Sequence, residues 1–321
     1  MFLPSTVFLH SISYAIAAPR PLASLLAEGV SQQVVDTLGQ RDISGYSMFE
    51  GEAQDNIRRC IAETLTKSSV PLTGVDVVVF FGEHSSAFFN PPVVEAGKPP
   101  ARDGLYKVIE SAGLYRASIV KISEGSCANL LHATAICNAL IREGMARNIL
   151  LVAGECYPDA LSRIGRDGTS LAGDGVAAFM MSSELQAGQA DAFELEFVNL
   201  RPYDRHDSRG DTTALVLESF KALKNAAADC YEACGLQPSR FRWVVVGDYS
   251  RQSSLIHSKL LGFSPQATWL KNVGLHGHVP FDPLISLGDI ANAGEIDSGQ
   301  RALLYIGGPV SCGLLVLTRA A

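Results

Sequence analysis

The sequence predicts a layered α/β fold built from two similar halves, and three observations support this prediction. Apolar runs rich in β-branched residues recur along the chain, and such runs are typical of strands covered on both faces. Helical patterns lie between them. The order helix, strand, helix, strand, short loop, strand occurs twice, over 50–184 and again over 212–319. We therefore expect two α/β halves, 1–185 and 186–321, related by pseudo-twofold symmetry.

The N-terminal segment, MFLPSTVFLHSISYAIAAPRP, is predicted to form the first strand. It has a faint likeness to a secretion signal, because AIA could be a cleavage site. No Lys or Arg precedes the apolar stretch, however, and Ser and His interrupt it, so a strand is the better interpretation. The other predicted strands are VDVVVFFG (75–82), NILLVAGE (148–155), VAAFMMSS (176–183), RWVVVGDY (242–249), RALLYIGG (301–308) and CGLLVLTR (312–319).

The predicted helices occupy 52–68, 127–144 and 212–235. A fourth helical segment, 250–263, is placed in the second half as the approximate counterpart of the 127–144 helix. Glycine turns fall at matching places in the two halves, AGDG at 172–175 and IGGP at 306–309. The polar, turn-rich segment 200–213 is expected to join the halves.

Composition narrows the possible functions. The 321 residues are 47% apolar, which is enough for a large core. Their formal net charge of −7 argues against nucleic acid or anionic lipid as a main partner. No apolar run approaches the length of a membrane-spanning helix. Seven cysteines lie scattered without a CxxC pair or zinc-ligand spacing. We therefore expect reduced thiols, a cytoplasmic protein and no metal site.

Cys127 is the candidate nucleophile. It lies in SEGSCANLLHATAICNALIREG (123–144), where small and polar residues give way to an apolar helix. The N–H groups at a helix N-terminus favour the thiolate and can also hold the oxyanion that forms when a thioester is attacked. A buried structural cysteine is the alternative at this position. The other six cysteines lie in helical or strand patterns and are interpreted as structural.

Three motifs, in order along the chain, give the sequence a family resemblance. They are GSCANL around Cys127, AGDGVAAFMM (172–181) and IGGPVSCGLLVL (306–317). With these motifs and its two halves, the chain resembles the β-ketoacyl-ACP synthase III (KAS III)-like group of thiolase-fold condensing enzymes and acyltransferases. The resemblance implies a five-layer αβαβα fold, a homodimer with sheets joined edge to edge, and a tunnel that admits the phosphopantetheine arm of coenzyme A or an acyl carrier protein.

The chain departs from the family at the catalytic pair. The usual His of a Pro-His-Gln-Ala-Asn motif falls on Gly247, beside Asp248, in RWVVVGDYSRQ (242–252). The family's His-Gly-Asn-Thr motif is matched by HGHV (276–279), which puts His278 in the place of Asn. Cys127 and His278 are therefore the expected catalytic pair, with His276 a weaker rival. Either Asp248 or Asp282 could orient the imidazole, and Asp248 is the residue we predict.

The resemblance also implies the surrounding site. Cys127 and Gly308 would supply the oxyanion hole, and Gly307 would line the tunnel. Phe88 and Phe89, in the Pro-rich loop 85–104, are expected at the tunnel or the subunit interface. No metal or redox cofactor is implied, because acyl-CoA or acyl-phosphopantetheine is the substrate.

Three functions remain open at this point. The first is acyl transfer from a thioester through Cys127 to an oxygen or nitrogen nucleophile in specialised metabolism. The second is decarboxylative carbon–carbon condensation of the 3-oxoacyl-ACP synthase III type. The third is a non-catalytic partner of another ketosynthase, which the retained cysteine and histidine disfavour. A single imidazole offers fewer hydrogen-bond donors to an enolate than the family's His–Asn pair, so we favour acyl transfer.

Overall fold

The computed structural model describes residues 6–50, 53–82, 104–123, 125–165, 168, 170–186, 189, 191–203, 212–247 and 249–321. The strands are β1 Phe8–Ile16, β2 Pro19–Pro21, β3 Gly45–Ser47, β4 Val77–Phe81, β5 Ser118–Ile122, β6 Asn148–Glu155, β7 Gly175–Ser182, β8 Phe193–Val198, β9 Arg201–Pro202, β10 Trp243–Val245, β11 Arg301–Gly307 and β12 Ser311–Arg319. The helices are α1 Ser24–Ala27, α2 Gln32–Gly39, α3 Ala53–Ser68, α4 Gly104–Ser111, α5 Asn129–Arg142, α6 Thr212–Cys234, α7 Arg251–Leu260 and α8 Asp282–Asn292.

One large sheet runs through the described part of the chain in the order β10-β11-β12-β8-β1-β7-β6-β4-β5. On one side β5, β4 and β6 are parallel, and β7 and β1 follow antiparallel. On the other side β10 and β11 are parallel, and β12 and β8 follow antiparallel. The series β4-β6-β7-β1 thus repeats as β10-β11-β12-β8. The repeats join where β1 pairs with β8, so the predicted N-terminal strand lies at the centre of the sheet.

The counterpart of β5 is reduced to one bridge in the second half. Thr268 pairs in parallel with Val244 of β10, as β5 pairs with β4. Because α7 precedes this bridge and α8 follows it, α7 corresponds to α4 and α8 corresponds to α5. The prediction that 250–263 is the counterpart of the Cys127 helix is therefore wrong. A single bridging residue leaves no apolar run in the sequence, so the reduced strand carried no signal.

Three apolar clusters show how the layers pack. The largest lies around the two central helices and contains Leu130, Leu131 and Cys137 of α5 with Leu284, Leu287 and Ile290 of α8, together with strand residues from both halves. A second cluster packs α3 and α4 on the outer face of the first half, and a third packs α6 and α7 on the outer face of the second. The predicted layered α/β arrangement is confirmed, with α5 and α8 as its middle layer.

Burial explains which strands the sequence revealed. All of β7 is buried, and β6 is buried except at its first residue, as their continuous apolar runs indicated. β5 and β8 were missed because each is partly exposed and interrupted by charged residues, Lys121 in β5 and Glu194 and Glu196 in β8. Among the described residues, no helix is long and apolar enough to cross a membrane. The predicted division at residue 185 stays a prediction.

Candidate active site

The turn before α5 presents Cys127. After β5 the chain enters a 3₁₀ turn, Ser126–Ala128, in which Ser126 has a φ of 50°. The Asn129 side chain closes this turn, because its Oδ1 accepts from the Gly125 N–H at 2.8 Å and its Nδ2 donates to the Ser123 carbonyl at 3.2 Å. Cys127 is thereby held half-buried at the N-terminal end of the central helix.

The AGDG turn of 172–175 positions His278. The His278 N–H donates to the Leu171 carbonyl at 2.6 Å, and the His278 carbonyl accepts from the Gly173 N–H at 2.9 Å. Gly277 has a φ of 72°, and a Cβ there would lie 2.9 Å from backbone atoms of Leu171, Ala172 and Gly173. Glycine is therefore required beside His278, both for the left-handed backbone and for this close approach.

A Cys–His–Asp chain of contacts forms the centre of the site. His278 Nε2 lies 3.4 Å from Cys127 Sγ, and His278 Nδ1 lies 2.7 Å from Asp282 Oδ2. Both Asp282 oxygens also accept from the Val279 N–H at 3.0 Å. Asp282 is 1% exposed and His278 8% exposed, so the imidazole is held in one orientation with Nε2 facing the sulfur.

Electrostatics favour an ion pair between Cys127 and His278. Burial raises the pKa of Cys127, but the charge of His278 and hydrogen bonds from His278, Tyr249 and Ser126 outweigh it, so the thiol pKa is lowered. Burial lowers the pKa of His278, but Cys127 and Asp282 together raise it to about 10. These two shifts favour the thiolate–imidazolium form of the pair over the neutral form.

Tyr249 is a site residue that the sequence did not reveal. Its ring stacks on His278, with ring centroids 3.9 Å apart and planes 28° from parallel. Its hydroxyl donates to the Gly307 carbonyl at 3.0 Å and also lies against Cys127. The only sequence signal was an aromatic residue two positions after Gly247, where the family's histidine is absent.

The Gly307–Gly308 turn lies directly over the turn Ser126–Ala128, which carries Cys127. A Cβ at Gly308 would be 2.8 Å from the Ala128 nitrogen and 3.1 Å from the Gly125 carbonyl oxygen. The Gly308 N–H donates to the Ser311 carbonyl at 2.9 Å. The turn is thus next to Cys127, but the Gly308 N–H is already bonded within the hairpin that joins β11 and β12.

A cavity of about 510 Å³ is lined in part by Tyr249, Gly307 and Gly308. Its wall is mainly apolar and aromatic, with one arginine. The other lining residues are Arg41, Ser170, Tyr203, Leu215, Val216, Ser219, Phe220, Ser250, Gln252, Ser253, Ile256, His257, Tyr305 and Pro309. Gly307, the residue predicted to line the tunnel, is one of the residues that line this cavity.

Not all of the remaining predicted site residues lie in the part of the chain that the structure describes. Asp248, Phe88 and Phe89 lie outside the described residues, and Asp282 contacts the imidazole. The carbonyl of His276, the rival base, accepts from the Ser47 N–H at 2.8 Å. Among the residues that the structure describes, no group of three or more His, Cys, Asp or Glu side chains is arranged to hold a metal ion.

Comparison with known sequences matches the nucleophile region to one family. The model of 3-oxoacyl-[acyl-carrier-protein] synthase III matches residues 123–198. The β-ketoacyl-[acyl-carrier-protein] synthase III of Neisseria meningitidis serogroup C is 28% identical over 210 residues, covering 60% of this chain and 64% of that protein. The same enzyme of Rhodospirillum rubrum is 25% identical over 196 residues, covering 56% and 60%. The chain thus matches less than two thirds of the length of these relatives.

Solved structures match over nearly the whole chain. The acyltransferase ChlB3 superposes with a TM-score of 0.79 at 15% identity, covering 98% of each chain. A 3-oxoacyl-(acyl carrier protein) synthase III of Xanthomonas oryzae gives 0.76 at 17% identity, covering 99% and 100%. The OleA of Xanthomonas campestris, solved with lauric acid and lauroyl-CoA, gives 0.75 at 16% identity, covering 98% and 100%. The chain has the thiolase-like fold and is similar in sequence to β-ketoacyl-ACP synthases III.

Proposed function

We propose that this protein transfers acyl groups from a thioester, through a covalent intermediate on Cys127, to a hydroxyl or amine acceptor. The observation that carries the proposal is the 3.4 Å contact between Cys127 Sγ and His278 Nε2, with Asp282 behind the imidazole. An aligned thiol, base and orienting carboxylate are the parts that nucleophilic acyl transfer requires.

In the first step the Cys127 thiolate attacks the carbonyl carbon of the incoming thioester. The carbon–sulfur bond forms as the carbonyl π electrons move to oxygen, and the backbone N–H of Cys127, the predicted oxyanion-hole donor, would stabilise this oxyanion. When the oxyanion collapses, the bond to the donor sulfur breaks. The departing thiolate takes the Nε2 proton of His278, which leaves acyl-Cys127 and a neutral imidazole.

In the second step His278 acts as the general base. Its neutral Nε2 accepts the proton of the acceptor hydroxyl or amine as that group attacks the acyl carbon. The second oxyanion collapses and expels the Cys127 thiolate, so the thiolate–imidazolium pair is restored. Asp282 keeps Nδ1–H directed away from the sulfur and stabilises the imidazolium through both half-reactions.

Decarboxylative condensation is less favoured by the same geometry. An enolate needs hydrogen-bond donors aimed at its oxygen, and His278 supplies one imidazole in place of the family's His–Asn pair. The Tyr249 ring covers one face of that imidazole, and its hydroxyl donates to the Gly307 carbonyl. Condensation is the second candidate reaction, because the similar sequences are those of KAS III enzymes.

The cavity lined in part by Tyr249 and Gly308 is our candidate for the thioester-binding tunnel. Its apolar and aromatic walls suit the methylene and amide groups of a phosphopantetheine arm, and Arg41 in the same lining would offer a cation to its phosphate. Coenzyme A and an acyl carrier protein carry the same arm, so either can be the donor.

We also propose a homodimer that pairs along β5. This strand is the last in the sheet, and none of its residues is fully buried, although Ile119, Val120 and Ile122 are apolar. An open apolar edge of this kind is an expected pairing surface. Light scattering at micromolar concentration should give twice the chain mass, and Val120→Lys should reduce it to one chain. A wild-type monomer would contradict the proposal.

The acyl-enzyme can be tested by intact-protein mass spectrometry. The chain is incubated with a panel of acyl-CoAs and acyl carrier proteins, and the added mass is mapped to a peptide. Cys127→Ala should remove the adduct, a loss of more than about 10³-fold, whereas Cys234→Ala, at a half-buried thiol on α6, should keep it. Acylation of Cys127→Ala at full yield would refute the covalent mechanism.

The reaction type is then determined by identifying the product that forms. The acylated protein is offered hydroxyl and amine acceptors, and separately malonyl thioester. We expect ester or amide formation to be faster than carbon dioxide release. A β-keto product formed at a matching rate would make condensation the function.

A further inference from the structure

We propose that Tyr249 is a further catalytic residue, whose hydroxyl alternates between the Gly307 carbonyl and the sulfur of Cys127. Donation to the sulfur would hold the thiolate as nucleophile and as leaving group. This inference rests on the proposed function, because it concerns the thiolate used there. The family resemblance gives no role to an aromatic residue at this position.

The geometry gives the hydroxyl two acceptors and one hydrogen. It donates to the Gly307 carbonyl oxygen at 3.0 Å, and Cys127 lies beside it. A neutral carbonyl and a thioester sulfur are weaker acceptors than a thiolate, because hydrogen bonds to charged groups are stronger. The hydroxyl is therefore expected to turn towards the sulfur when Cys127 is a thiolate, and back to Gly307 when Cys127 is acylated.

Tyr249 is held by the stacking of its ring and by the capping role of the residue that follows it, so that a small rotation of the hydroxyl is enough. The ring stacks on His278, and Ser250, the next residue, caps α7 by accepting from the Ser253 N–H at 3.2 Å. The phenol stays protonated, because burial and the neighbouring Cys127 raise its pKa well above the usual value. Tyr249 can thus donate a hydrogen bond but does not release its proton.

How much the Tyr249 hydroxyl stabilises the Cys127 thiolate depends on the other groups that face the sulfur. They are His278, itself held by Asp282, and Ser126. His278 takes up and returns a proton during the cycle, so its charge is absent when an acceptor attacks acyl-Cys127. As the acyl–sulfur bond breaks, negative charge develops on sulfur while His278 is gaining its proton. A hydrogen bond from Tyr249 at that moment makes Cys127 a better leaving group.

The test uses Tyr249→Phe, which keeps the ring and the stacking and removes the hydroxyl. Alkylation of Cys127 by iodoacetamide forms a carbon–sulfur bond and releases iodide, and its rate follows the thiolate fraction. The rate is measured from pH 4 to pH 10, with the modified peptide identified by mass spectrometry. We expect the lower inflection of the pH profile to rise by about one unit or more.

The matched control is Tyr231→Phe. Tyr231 is another partly buried tyrosine whose hydroxyl donates to a backbone carbonyl, that of Leu261 at 2.6 Å, and it packs against the third apolar cluster, which does not contain Cys127. Its loss should leave the alkylation profile unchanged. Thermal unfolding of both variants checks that the fold is kept. A Tyr249→Phe inflection equal to that of the wild type would overturn the proposal.

A second readout separates this inference from the proposed function. Where a thioester acylates the chain, decay of acyl-Cys127 in Tyr249→Phe should slow about tenfold, because the leaving group has a higher pKa. If no thioester acylates the wild type, the proposed function fails while the alkylation profile still tests the hydroxyl. An unchanged decay rate would remove the leaving-group role.

Discussion

The helices α5 and α8 occupy corresponding places in the two halves, yet their N-terminal ends carry opposite chemistry. The turn before α5 presents Cys127, whose pKa is lowered by its neighbours, on a backbone with a left-handed Ser126. The start of α8 places Asp282 in its first turn, buried and bound to His278. In the proposed mechanism, one repeat thus supplies the anion that reacts, and the other supplies the base and a fixed counter-charge.

The difference shows how a duplicated unit can divide the work of a site. A helix N-terminus stabilises negative charge. Among the described residues, the group at the N-terminus of α5 is the Cys127 sulfur, whereas the Asp282 carboxylate already occupies the N-terminus of α8. The two ends meet through a 3.4 Å contact between residues 151 positions apart. Variants that affect the N-terminal end of one of these helices and not that of the other test this comparison.

The largest effect is expected at the turn that covers α5. Gly308→Val would place a branched side chain where a Cβ alone is 2.8 Å from the Ala128 nitrogen, so the nucleophile turn must move. Acylation should be abolished while the thermal unfolding curve stays close to that of the wild type. Gly39→Val is the control, because a Cβ there meets nothing within 4 Å. Normal acylation by folded Gly308→Val would contradict this account of the turn.

The base at the α8 end comes next. His278→Ala should lower acyl transfer by about 10²–10⁴-fold, the usual range for loss of a general base. His276→Ala is the control and should cost far less. Transfer is followed as ester or amide product, and circular dichroism checks the fold because Asp282 loses its partner. Equal losses in the two variants would mean that the base is assigned to the wrong histidine.

Removing the fixed counter-charge should have a smaller effect. Asp282→Asn keeps the shape but removes the charge that helps to raise the pKa of His278 to about 10. The imidazolium should then be lost at a lower pH, and transfer at neutral pH should fall by about 10²-fold. A pH titration of the His278 ring by NMR, beside the rate profile, measures both. An unchanged titration would show that Asp282 only supports the backbone at Val279.

The smallest effect concerns the junction between the halves. His10 lies on β1, is 1% exposed, and contacts Ser11 and Ser182 at 3.0 Å. Burial lowers its pKa to about 4, although Asp191 opposes the shift. A depressed folded-state pKa contributes stability that is present above the unfolded value near 6.5 and is lost as pH falls towards 4.

The free energy of unfolding should therefore decline by up to about 3 kcal/mol over that interval. His10→Gln should flatten this part of the profile in urea unfolding, since glutamine does not titrate there. His206→Gln provides a comparison, as a histidine in the polar segment 200–213 of the sequence. A wild-type profile that is level between pH 6.5 and pH 4 would show that His10 does not govern acid stability.

Much of the architecture could be predicted because local pattern and burial agree. The runs that became β6, β7, β11 and β12 are apolar at nearly every position, and the structure buries them on both faces. The strands β5 and β8 were missed because half-exposed strands with charged residues do not form such runs. The helix α8, which is buried at nearly every position, was also missed.

The sequence by itself determined the fold class and singled out Cys127 and His278, because a helix start and a motif are local features. Only the tertiary structure decided which groups meet them. Asp248 was the predicted orienting carboxylate and Asp282 the alternative, and the packing of α8 brings Asp282 to the imidazole. Tyr249 reaches the same imidazole from a different loop. Such contacts join residues far apart in the chain, and their geometry depends on how whole layers pack, which no local pattern specifies.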